Sequence, residues 1–178
     1  MKNKSLRRQD GTWLHPSSTE HDGWRCHFEL GQDSISSLPD PEGLSAIQPT
    51  LLHEQTRLIA LTRTRAGCVG YSESTDTGRS WSPLARTDLP NPNSGIDAVT
   101  LTSDRHLLVY NPVPRGRFPL SIAVSSDARR WERIVDLETE RGEFSYPAVV
   151  QGKGGEIHVT YTHHRRRIAH VVLAENVE

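Results

Sequence analysis

The sequence predicts an all-β chain built from repeats of about fifty residues, and three observations carry that reading. The first is Ser74-Thr75-Asp76-Thr77-Gly78-Arg79-Ser80-Trp81, which reads S-x-D-x-G-x-x-W. Such a segment makes a hairpin turn: Asp accepts backbone hydrogen bonds, Gly supplies a positive φ, and Trp packs back on the loop. The second is a degenerate copy at Ser125-Ser126-Asp127-Ala128-Arg129-Arg130-Trp131, which lacks the Gly. Asp76 and Asp127 are 51 residues apart, and Trp81 and Trp131 are 50 apart. A fixed period of this size marks a repeat architecture. The third is that short apolar runs recur in one order around both boxes, while no stretch shows helical periodicity.

Each repeat reads as four strands. First strands start at Pro49, Ala98 and Ala148, and second strands follow at Leu58–Leu61, Leu107–Tyr110 and Ile157–Tyr161. The gaps between them are polar, as hairpins require. Third strands fall at Val69–Tyr71, Leu120–Val124 and Ile168–Leu173, and the clearest fourth strand at Trp131–Leu137. A fainter repeat opens the chain, with strands at Ser5-Leu6, Gly11–Leu14 and Trp24–Leu30, and a box around Asp33 that has lost its Trp. The repeats divide near 1–44, 45–93, 94–143 and 144–178, the last ending after its third strand, within a single domain. Four antiparallel strands per repeat describe a propeller blade.

Composition fits short strands joined by turns, with 34% hydrophobic residues, 13 Gly and 11 Pro. The net charge is -1, which gives no electrostatic basis for a nucleic-acid partner. No signal peptide or membrane-spanning run is present, so the expectation is a cytoplasmic chain with no membrane partner. Cys26 and Cys68 hold comparable third-strand positions and are expected in the core. His163 and His164 are adjacent in a strand and cannot face one metal together. No metal or cofactor is expected.

The chain resembles the sialidase-like proteins with BNR repeats, or Asp-boxes, a bacterial neuraminidase-like group. The segments that carry the resemblance are Lys2-Asn3-Lys4, Pro16–Trp24, Ile47–Leu52, Asp88–Asp97, Pro114–Arg117 and Phe144–Ala148, besides the boxes. The likeness implies a partial, N-terminally truncated β-propeller, about four blades of a six-bladed fold. It covers only the C-terminal part of the family pattern. An open ring would expose two apolar blade faces, available to a complementing propeller half or to self-association.

The resemblance also implies a glycoside hydrolase chemistry on acidic sugars, with an acidic glycan as ligand. In that family three arginines grip the sugar carboxylate, a Tyr activated by Glu attacks the anomeric carbon, and an Asp serves as acid and base. Carried over by position, Tyr146 matches the nucleophile, and Arg63 and Arg117 match two of the arginines, with Arg65 as a substitute for Arg63. Gln48, in Gln48-Pro49-Thr50-Leu51, stands where the activating Glu is expected. It can hydrogen-bond Tyr146 but cannot take its proton. The first arginine and the acid belong to blades not represented here, so the chain by itself is expected to be inactive. The alternative is a propeller fragment that binds carbohydrate or protein without catalysis.

Each candidate has a structural alternative. Tyr146 can pack between blades, and Arg117 can serve a loop ion pair. Of Arg63 and Arg65, both at a strand end, at most one is expected to line the centre. Asp97 begins a blade and is a substrate-binding candidate or a turn-stabilising residue. Asn93 and Asn111 are weaker candidates for sugar hydroxyls. Trp24 and Tyr110 suit either sugar stacking or the core. Arg165-Arg166-Arg167 reads as a hairpin tip or site rim.

Overall fold

The structure is a computed structural model and describes residues 3–8, 10–21, 23–31 and 34–175. Among these residues there is no helix, and fifteen strands form four antiparallel sheets. The first holds β1 (Leu6–Arg7), β2 (Trp13–Thr19), β3 (Arg25–Leu30) and β4 (Ser34–Ser37). The second holds β5 (Ala46–Glu54), β6 (Arg57–Thr64), β7 (Cys68–Ser74) and β8 (Ala85–Pro90). The third holds β9 (Asp97–Thr100), β10 (His106–Tyr110), β11 (Leu120–Ser125) and β12 (Glu132–Glu138). The fourth holds β13 (Phe144–Gln151), β14 (Ile157–His163) and β15 (Arg167–Leu173). Within every sheet, strand order follows chain order, so each is a meander and each is a blade. The box expected around Asp33 lies outside the described residues.

Three apolar cores form, one at each contact between neighbouring blades. Leu14, Cys26 and Phe28 of the first blade meet Ala46, Leu51, Ala60 and Trp81 of the second. Leu52, Ile59 and Leu61 meet Ile96, Leu108 and Ala123. Leu107, Val109 and Ile122 meet Phe144, Val149 and Val159. Inner strands of the middle blades are therefore covered on both faces, with β10 and β11 buried along their whole length, while the outer strands β8 and β12 stay largely exposed. The last blade instead alternates, because one face is uncovered: Val150, Ile168 and Val172 are exposed. That face also carries His158, Thr160 and His170, so it is mixed and only in part the apolar surface expected of an open ring. Among the described residues of the first blade, Trp13 and Ile35 are the large exposed hydrophobics. Cys26 and Cys68 are buried free thiols, and desolvation pushes the Cys26 pKa well up.

The boxes fold as their sequence demands. In the first, Gly78 N and Ser80 N donate to Ser74 Oγ (2.8 Å) and Asp76 Oδ1 (2.9 Å), and Ser80 Oγ donates to Asp76 Oδ2 (2.6 Å). Gly78 has φ 89°, and a Cβ there would lie 2.8 Å from the Leu14 side chain. Trp81 does more than close its own loop. It stacks on Phe28 of the preceding blade at 4.1 Å, and its Nε1 donates to Ser36 Oγ at 3.2 Å. In the second box, Ala128 takes the positive φ (53°) and is itself fully buried. Both boxes sit at the same end of the strands: Glu73 beside the first pairs with Arg129 of the second at 3.0 Å.

These bonds, led by the Ser80 hydroxyl, hold the Asp76 carboxyl down at about 2, below its ordinary 3.8. A depressed carboxylate contributes stability that is complete above the unfolded value and lost as pH falls through the folded one. Asp76→Asn is therefore expected to be less stable than the wild type at neutral pH, with the gap closing between about pH 4 and pH 2. Thermal unfolding of both proteins across that range checks this; a gap independent of pH contradicts it.

Candidate functional site

Gln48 and Tyr146 occupy the same place in two blades. Each is the third residue of the innermost strand and each precedes a proline. In β5 the pairing register skips from Ile47 to Thr50, and in β13 from Ser145 to Ala148, so both X-Pro pairs are bulged out of the ladder. Proline has no N–H to lose there. Gln48 has φ 54° and Tyr146 φ 51°, which L side chains rarely adopt. Bulges of this kind re-aim a side chain at a strand end.

Arg63 stands beside the first bulge, paired across the ladder with Ile47. It is 7% exposed. Its Nε donates to Asn93 Oδ1 at 2.9 Å and its NH1 to Gln48 Oε1 at 3.2 Å. The Tyr146 hydroxyl also interacts with this guanidinium. Burial is the largest influence on Arg63 and lowers its pKa; Tyr146 opposes this, and the nearby Arg117 adds to it. Arginine nevertheless stays charged. Both hydrogen-bond acceptors are neutral amides, and no carboxylate among the described residues lies within ion-pair distance of Arg63, Glu20 acting on it only at longer range. The guanidinium therefore keeps charge for an incoming anion.

Arg117 comes from the loop between β10 and β11. Its guanidinium carbon lies 5.4 Å from the centre of the Tyr146 ring, on the cation–π scale. Its NH1 pairs with Glu143 Oε1 at 3.2 Å. Glu143 also receives Arg165 Nε at 2.5 Å, which places the basic hairpin tip at the rim of the cluster. Trp24 borders the other side, with the guanidinium carbons of Arg65 and Arg63 at 4.2 and 5.2 Å from its ring centre. The expectation that at most one of Arg63 and Arg65 lines the centre does not hold, since residues two apart share a strand face and both guanidinium groups reach Trp24. β6 ends at Thr64, and Arg65 N bonds Leu44 O (3.1 Å) in the turn, from which its side chain returns to the same Trp24.

The structure thus brings Gln48, Arg63, Arg117 and Tyr146 together, with Asn93 and Trp24 beside Arg63. Asp97 is placed differently. It is 2% exposed, and its carboxylate accepts from Thr50 Oγ1 (2.8 Å), Val149 N (2.9 Å) and Lys4 Nζ (2.5 Å). These contacts tie three blades and the N-terminal segment together. Asn111 is likewise buried, donating to Pro119 O and Phe144 O and accepting from Ser94. Tyr110 lies in the core between the second and third blades. His163 and His164 flank the Phe144 ring edge-on, and no group of metal-ligating side chains occurs among the described residues. Gln48 turns its amide oxygen to Arg63, so the expected bond to Tyr146 is replaced by one guanidinium that both residues share. Sequence reasoning missed Glu143. The signal was its position three residues before Tyr146, in a chain that places Arg117 and Arg165 in nearby loops.

The fold defines a class: a β-propeller with Asp-box repeats. The chain belongs to the BNR repeat-like domain family, whose model matches residues 1–159. A search of curated proteins found no match. Among solved structures, the NanB sialidase of Streptococcus pneumoniae superposes with a TM-score of 0.74 at 14% identity, over 97% of this chain and 30% of its own. A Dyadobacter fermentans protein of unknown function gives 0.78 at 17%, over 94% of this chain and 51% of its own. The intramolecular trans-sialidase of Ruminococcus gnavus, in complex with oseltamivir carboxylate, gives 0.72 at 15%, over 93% and 41%. The chain spans about a third to a half of these proteins, and at such identities the likeness concerns the fold.

Proposed function

We propose that this chain carries a carboxylate-binding site for an acidic sugar and, by itself, binds such a sugar without cleaving its glycosidic bond. The observation that carries this reading is the buried Arg63 guanidinium held by two neutral amides, with Arg117 and Tyr146 facing it. Guanidinium forms bidentate, permanently charged pairs with carboxylate, and its strength grows as water is excluded. The half-buried Trp24 beside Arg63 offers an aromatic wall for a sugar ring.

Hydrolysis needs more. Tyr146 as nucleophile requires a base, and the neighbouring side chain is the Gln48 amide, already accepting from Arg63. Of the chemistry that the resemblance implies, these residues support an anion grip and not the activation of a nucleophile. Recognition without cleavage is the reading this favours over an active glycosidase.

Two measurements test it. The purified chain is expected to give no turnover of a fluorogenic sialoside; turnover abolished by Tyr146→Phe overturns the non-catalytic half. Amide chemical shifts of wild type and Arg117→Ala are followed in titrations with sialic acid. Arg117 is already paired with Glu143 and partly solvated, so its loss is expected to weaken binding only severalfold, on the scale of about 0–1 kcal/mol for exposed pairs. Binding should also weaken with added salt. Equal binding by the variant makes the cluster structural and sinks the assignment of Arg117.

A further inference from the structure

A cavity lies at the opposite ends of the same strands. β5 runs six residues from the Gln48 bulge to Glu54, which separates the β5–β6 hairpin from the guanidinium cluster by roughly 20 Å. There a cavity of about 380 Å3 opens between the end of β1 and that hairpin, walled by Leu6, Arg8, Gln55, Thr56, Leu58 and Thr77.

Arg8 is its unusual feature. Its side chain is 8% exposed, and its NH1 reaches Thr77 O at 3.4 Å. Its Nε is buried and has no hydrogen-bond acceptor among the described residues. The near carboxylate, Asp10 Oδ1, is 3.8 Å away, outside hydrogen-bonding range. That oxygen is committed to Thr12, accepting from its N at 2.9 Å and its Oγ1 at 2.5 Å, and those bonds keep Asp10 ionised to lower pH than usual. The backbone of Arg8 is fixed as well, since Arg8 N donates to Thr12 O and Gly11 N to Arg8 O. A buried donor left without an acceptor is costly, and a ligand oxygen at Nε removes that cost.

The rest of the wall narrows the ligand. Arg57 also lines the cavity, but each of its nitrogens already donates, to Glu54, Glu73 or the Asp127 carbonyl. Glu54 and Asp104 offset two of the three lining arginines, Arg7, Arg8 and Arg57, which leaves about one net positive charge and suits a monoanion better than a dianion. Leu6 and Leu58 offer apolar surface, while Gln55 and Thr56 offer hydrogen bonds. We propose that this cavity binds a small monoanionic organic carboxylate, its carboxylate on the Nε edge of Arg8 and its apolar body against Leu6 and Leu58.

The test is an amide-shift titration of the wild-type chain with benzoate, with benzamide as the neutral isostere and inorganic phosphate as the multivalent anion. Benzoate is expected to shift Leu6, Arg7, Arg8 and the 53–58 hairpin saturably, at about millimolar concentration. Benzamide and phosphate are expected to leave those residues unmoved over the same range. Arg8→Gln is expected to weaken benzoate by about tenfold or more, and Arg8→Lys, which keeps the charge but not the planar edge, by less. The wild-type comparison needs no variant to fold. Benzamide or phosphate binding as well as benzoate, no shift at these residues, or shifts confined to Gln48, Arg63 and Tyr146 overturns the proposal.

Discussion

Trp81→Ala is expected to lower the unfolding free energy by about 3–5 kcal/mol, the usual range for deleting a buried large aromatic side chain. Trp81 is 6% exposed and belongs to the core shared by the first two blades. Its removal takes away the stack on Phe28 and leaves Ser36 Oγ without the indole donor. Since a domain is stable by only about 5–15 kcal/mol, one such loss removes a large share of the total. Trp131, the matching residue of the second box, is half-buried, and its Nε1 donates locally to Ala128 O. Trp131→Ala should therefore cost clearly less. Urea unfolding of the two variants decides this. Equal losses mean that Trp81 closes its own loop, and that the inter-blade account of the box is wrong.

Arg63→Lys is expected to reduce affinity for sialic acid by at least about tenfold while leaving the fold intact. The guanidinium has five donors in a plane, and it serves Asn93, Gln48 and Tyr146 while keeping capacity for a ligand. An ammonium has three donors and no fork, so the amide oxygens of Asn93 and Gln48 compete with the ligand for it. Retention of charge separates geometry from simple electrostatics. Titration of the folded variant checks the point, and unchanged affinity rules out a bidentate role for Arg63.

The blades were legible because two periodicities coincide. The box recurs after about fifty residues, and within each repeat short apolar runs alternate with polar hairpins. What escaped sequence reading is what happens between blades and beyond strand ends. Trp81 was read as packing on its own turn, because spacing says nothing about which neighbouring sheet supplies the ring opposite. Arg63 and Arg65 both reach Trp24, as residues two apart at a strand end can, where at most one of them is expected at the centre. Asp97 was placed correctly at a blade start. Its three hydrogen bonds come from residues 47, 52 and 93 positions away, a convergence that a single chain does not display. The shared X-Pro pattern of Gln48-Pro49 and Tyr146-Pro147 was visible, but its meaning as a repeated bulge emerges only from the register.

The central claim is that a charged carboxylate is recognised at Arg63, and the most direct measurement is a paired titration with sialic acid and its methyl ester. The two ligands share every hydroxyl and differ by one negative charge. The account predicts saturable shifts for the acid at Gln48, Arg63, Asn93 and Tyr146, weakened by salt, with the ester at least about tenfold weaker, as loss of a charge-assisted hydrogen bond implies. Equal binding of acid and ester at those residues, or shifts from the acid that avoid them, contradicts it.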